Sequence, residues 1–188
     1  MARHLAEDLL DVPAAIGLLR RAIDLRERHG QWATAANAET HVALGRVLGK
    51  GGDLPAAEFH LRVAVSIHEH HADAVARGGS VGSSGRGGGD GGGDSGGVGG
   101  GDGGDGGGCG GPEALGDLLH YTAVVADRQR HRVDAEGLYR RALAVYRAGR
   151  VGGDNVGLAL NNLALNLKKQ GRAAEGEAFK ASYFAVAT

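Results

Sequence analysis

One cysteine, three prolines and eight aromatic side chains are few for a chain of 188 residues, and each scarcity closes off a class of protein. Cys109 has no second cysteine, which excludes a disulfide framework and a metal site built on thiolates. Rare proline leaves glycine as the main breaker of helices. Charge of one sign is also missing: 21 basic residues face 22 acidic ones, a formal net charge of −1 with pI near 6.8. A chain so balanced has no broad field to draw nucleic acid or an anionic membrane surface. No apolar run approaches the roughly 18 residues needed to cross a bilayer. The opening MARHLAEDLL carries acids where a signal peptide needs an unbroken apolar stretch. The expectation is a soluble cytoplasmic protein that engages neither nucleic acid nor membrane.

Glycine is abundant but badly distributed, with 22 of the 36 glycines in the 34 residues 78–111. Glycine loses the most backbone freedom on ordering and offers no side chain to bury, so this tract reads as a disordered insertion. It divides the foldable sequence into 1–77 and 112–188. Lengthening a loop from about six to about forty residues costs only about 1.6 kcal/mol, at about 0.6 per doubling, so a helical array tolerates it. Outside the tract Ala, Leu, Arg and Glu dominate, and all are good helix formers. The fold class expected is all-α.

Four segments repeat. VPAAIGLLRRAI at Val12, LPAAEFHLRVAV at Leu54, VDAEGLYRRALAV at Val133 and AAEGEAFKASYFAV at Ala173 align on a small residue: Ala15, Ala57, Ala135 and Gly176. Seven positions on stand Ala22, Ala64, Ala142 and Tyr183. The offsets are 42, 78 and 41, and the middle one equals a repeat plus roughly the glycine tract. Upstream of the last three segments lies another helical pattern, with apolar residues at Val42, Leu44, Val47 and Leu48, at Leu115, Leu118, Leu119 and Val125, and at Leu158, Leu160, Leu163 and Leu167. Each repeat is therefore a hairpin of two helices. Glycine in GKGGD and KKQGR marks the turns before Leu54 and Ala173, whereas DRQRHR before Val133 has none. Small residues recur where paired helices must approach: Gly45 with Ala57 and Ala64, Ala123 with Ala135 and Ala142, Ala164 with Gly176. The first repeat is expected to begin near residues 1–7, so the chain reads as part of a longer array.

This spacing of small residues resembles the tetratricopeptide repeat, and the 42-residue period with LALNNLALNLKKQGR at Leu158–Arg172 resembles its kinesin light chain branch. The resemblance implies a right-handed solenoid of helical hairpins whose first helices line a concave groove. It implies a protein-interaction scaffold, in that branch a cargo adaptor for short acidic peptides. Groove positions then fall on Glu39, Val42, Arg46 and Lys50, on Asp117, His120, Val124 and Arg128, and on Leu158, Asn161, Leu165, Lys168 and Lys169. The candidate binding residues are Arg46, Lys50, His120, Val124, Arg128, Asn161, Leu165 and Lys168. An amide such as Asn161 can bond both N–H and C=O of an extended peptide, and the cations can attract carboxylates. The expected partner is a protein or peptide, acidic by preference, rather than a small-molecule substrate. Asn162 turns toward the neighbouring helix, and Arg20, Arg21, Arg140 and Arg141 occupy second helices as solvated outer surface. A second reading is a sensor segment of a larger signalling ATPase or protease.

Catalytic patterns are wanting. The glycines are followed by no Lys-Ser or Lys-Thr, as a phosphate loop requires. Gly100–Asp105 fits a calcium repeat only until Gly107, where a large apolar residue belongs. His68, Glu69, His70 and His71 lack the second histidine four residues after the first, since position 72 is Ala, and a solvated helix end is the reading adopted. No nucleophile has a base in a recognisable setting. No enzyme activity, metal or cofactor is expected.

Overall fold

The structure, a computed structural model, describes residues 12–76 and 111–185, and at 72–76 and 184–185 only the course of the backbone. The helix expected near residues 1–7 and the tract 78–110 with Cys109 lie outside the described residues. The described chain is all-α, with seven helices and no strand among those residues. They are α1 Val12–Arg28, α2 Ala35–Gly51, α3 Leu54–Ala76, α4 Pro112–Arg128, α5 Arg132–Ala148, α6 Asp154–Lys169 and α7 Ala173–Ala185. No helix among them is long and apolar enough to cross a membrane.

Each helix packs on the next, most closely within the pairs α2/α3, α4/α5 and α6/α7, and α4 also touches α6. The second helices begin at or within one residue of the positions expected from the repeat. The helix that carries Val42, Leu44, Val47 and Leu48 starts at Ala35, where the Thr34 hydroxyl oxygen accepts from the Asn37 amide at 3.3 Å and caps it. The histidines at 68–71 do not end α3, which runs on to Ala76.

The small residues lie at the helix contacts. Ala57, Ala64, Ala123, Ala135 and Ala142 are wholly buried. A methyl group added at Gly45 would sit 2.7 Å from Leu61 Cγ, and one at Gly176 3.0 Å from Ala164 Cα. Tyr183, where a small residue is the pattern, is buried too, and its hydroxyl donates to the Leu143 carbonyl at 3.1 Å. A single apolar core runs from Ile23 through Leu44, Leu61, Leu119, Leu143 and Leu160 to Tyr183. Each buried Leu in it contributes about 1.5–3 kcal/mol.

Five helices end the same way. After α1, α2, α4, α5 and α6 a residue turns to positive φ: Gly30 (70°), Gly52 (89°), Arg130 (67°), Arg150 (54°) and Gly171 (82°). The amide that follows reaches back five residues, as from Asp53 to Leu48 at 3.0 Å, His131 to Ala126 at 3.0 Å and Arg172 to Leu167 at 2.9 Å. That bond satisfies a carbonyl the helix end would otherwise orphan. The glycine-free turn thus closes as its glycine-bearing counterparts do, with Arg130 taking the left-handed conformation.

Candidate partner-binding site

The helices α2, α4 and α6 carry all eight candidate residues. Arg46, Lys50, Arg128, Asn161, Leu165 and Lys168 are exposed, and His120 and Val124 are half-buried. Three links place these helices side by side. The Arg46 guanidinium on α2 lies 5.8 Å from the centre of the Tyr121 ring on α4. The Asn162 amide on α6 donates to the His120 ring of α4 at 2.9 Å. Asp127 near the end of α4 receives Asn166 Nδ2 at 2.9 Å and pairs with Lys169.

Those links sort the candidate stripe. Arg46, Lys50, Arg128 and Lys168 have no acidic partner within ion-pair distance among the described residues. Lys169 does, and its carbonyl also accepts from Arg132 at 2.6 Å, so it serves the fold. Asp117 likewise faces inward duty, accepting from the Tyr146 hydroxyl at 2.6 Å and from Asn155 Nδ2 at 3.0 Å. Burial lowers the His120 pKa against a weaker opposing pull from Asp117, so this ring is neutral near pH 7 and acts as an acceptor. Leu158 and Leu165 on α6 are half-exposed apolar surface flanking Asn161.

The second helices differ from the solvated surface expected of them. Arg140 Nη2 lies 2.7 Å from Glu175 of α7, Arg141 pairs with Glu69 of α3, and Arg62 Nη2 lies 3.3 Å from Asp134 of α5. Arg20 and Arg21 are exposed. Sequence reasoning also passed over Tyr121, the ring beneath Arg46. Its only signal in the sequence was an aromatic one position from the groove residue His120.

Among the described residues no three His, Cys, Asp or Glu side chains are placed to hold a metal ion. No protein-family model matches the chain, and no curated protein matches it either. The tetratricopeptide likeness therefore stands on the repeat pattern of the sequence.

Proposed function

We propose that this protein is an interaction scaffold, a right-handed solenoid of tetratricopeptide-type hairpins that holds an extended acidic peptide along α2, α4 and α6. The observation that carries the reading is the row of Arg46, Lys50, Arg128 and Lys168, exposed on three laterally linked helices and lacking acidic partners among the described residues. Cations already paired within the fold have little left to offer a ligand; these four keep their full attraction for carboxylates. Asn161 adds an exposed amide that can bond a peptide backbone, and Leu158 and Leu165 add apolar contact beside it. The likeness of Leu158–Arg172 to kinesin light chains extends the proposal to a cargo adaptor.

Solenoid geometry has its own support in a junction made twice. Glu58 and Glu136, on α3 and α5, each accept from a glutamine in the turn after the next helix, Gln129 and Gln170. Repeating one junction repeats one rotation, which is how a superhelix arises.

The test is binding of an acidic and a basic peptide of equal length at low and high salt. The acidic one binds better, and salt weakens it by screening. Charge reversal at Arg46, Arg128 and Lys168 together weakens it at least about fivefold, whereas reversal of Arg20 and Arg21 does not. If only the second pair matters, the groove is assigned to the wrong helices.

A further inference from the structure

A cavity of about 320 Å³ opens between the α1–α2 turn, α2 and α3. Its α2 residues, Asn37 and His41, stand about 180° around the helix from Arg46 and Lys50, at 100° per residue. It is a separate site from the groove.

Two aromatic rings frame the cavity, Trp32 at 56% and Phe59 at 62% exposure. Such rings are normally covered. Glu27 lies at the same rim, exposed and with no ion-pair partner among the described residues. Asn37 and His41, only 1% and 3% exposed, contribute two polar atoms that lack partners, Asn37 Oδ1 and His41 Nε2. The Asn37 amide nitrogen donates to the Trp32 carbonyl at 2.8 Å, which settles the amide orientation and leaves its oxygen as an acceptor seeking a donor. Burial and the neighbouring His60 hold His41 neutral, so it does not repel a cation. Arg62 in the wall is already neutralised by Glu58 at 2.6 Å and Asp134 at 3.3 Å.

We propose that this cavity receives an arginine side chain of a partner peptide, its stem against Trp32 and Phe59 and its guanidinium toward Glu27 and Asn37. Every unsatisfied group with a settled role is an acceptor, an anion or an aromatic face, and a guanidinium answers all three. Its five donors exceed what an ammonium offers, and its plane stacks on a ring. An apolar occupant would leave the Asn37 acceptor orphaned, and an acidic one would meet Glu27. This inference goes beyond the groove reading and does not depend on it.

Trp32 is the only tryptophan, so its fluorescence reports on the cavity directly. The full chain is titrated with acetyl-arginine-methylamide up to about 20 mM, a range suited to one side chain. The lysine, norleucine and phenylalanine analogues and free arginine are titrated beside it. The expected result is a saturable change with the arginine probe, at least about fivefold weaker binding of the analogues, and no preference for free arginine. Glu27→Gln and Phe59→Ala, both at exposed sites, weaken the arginine probe about three- to tenfold with unchanged circular dichroism. Arg46→Glu binds it like the parent. The proposal is overturned if norleucine or phenylalanine matches arginine, if Glu27→Gln leaves binding unchanged, or if no saturable signal appears. Tighter binding of free arginine would overturn the peptide assignment.

Discussion

Glu58 and Glu136, 78 residues apart in sequence, occupy the same place in successive hairpins. The Glu58 carboxylate accepts from Gln129 and, at 2.8 Å, from Arg62 one turn along its own helix. The Glu136 carboxylate accepts from Gln170 at 3.1 Å and from Arg140 at 3.1 Å. Each glutamine also reaches a carbonyl at the start of the helix carrying the glutamate, Leu54 at 3.2 Å and Arg132 at 3.4 Å. One more side chain completes each cluster: His131 Nδ1 lies 3.3 Å from Glu58, and Arg172 Nη1 donates to Glu136 at 2.6 Å. The hairpins are thus bolted together by polar clamps as well as by apolar packing.

Removing one arm of a clamp strands the others. Burial alone would raise the Glu136 pKa, but bonds from Arg172 and Gln170, with the charges of Arg172 and Arg140, outweigh it and hold the carboxyl below its ordinary range. Glu136→Ala should cost about 1–3 kcal/mol, since Gln170 and Arg172 lose a half-buried acceptor. Chemical denaturation at pH 7 measures it. The cost should shrink as pH falls from the ordinary glutamate range through the lower pKa of the folded carboxyl, where the parent carboxylate itself takes up a proton.

The turns predict opposite outcomes for similar exchanges. Arg130 holds a left-handed φ of 67° that glycine adopts freely, so Arg130→Gly should raise stability by about 0.5–1 kcal/mol. Gly171→Ala, at φ 82° in the equivalent turn, should lower it by about 1–2 kcal/mol. Neither a methyl at Gly171 nor a missing side chain at Arg130 disturbs the core, because Gly171 has open space and Arg130 is exposed. Thermal melts of both variants decide it, and equal shifts would contradict the backbone account.

Ala142 has no exposed surface and sits where α4 and α5 meet. Ala142→Leu should overpack that contact and cost about 1–3 kcal/mol, as should Ala64→Leu between α2 and α3. Ala144, exposed on the same α5, is the control: Ala144→Leu should change little. Denaturant midpoints for the three variants provide the comparison.

His41 makes the fold sensitive to acid. Burial, with the charge of His60, lowers its pKa from 6.5 to about 4, so the unfolded chain binds a proton that the folded one refuses. Stability from this group is complete above pH 6.5 and is lost as pH falls toward 4, by on the order of 2 kcal/mol. His60, His68 and His120 are shifted the same way, with burial as the leading cause, and add to the slope. His41→Gln should flatten the fall in melting temperature between pH 6.5 and 4. An unchanged slope would show that His41 is charged in the folded protein.

Helix content, hairpin pairing and the identity of the closest contacts were legible in the residues themselves. Apolar spacing sets which face of a helix must be buried, and a small residue at a fixed offset sets where two backbones can touch, so Ala57, Ala142 and Gly176 announced their contacts locally. The exposure of Arg46, Lys50, Arg128 and Lys168 was readable for the same reason. Tertiary structure alone decided which charges are spent within the fold. Asp117 and Lys169 share the stripe's helical register, yet Tyr146, Asn155 and Asp127, from other helices, claim them. The Glu58 and Glu136 clamps and the cavity at Trp32 arise between segments separated in sequence or by a turn. Periodicity describes one helix at a time, whereas a hydrogen bond across helices depends on the distance and angle at which both arrive.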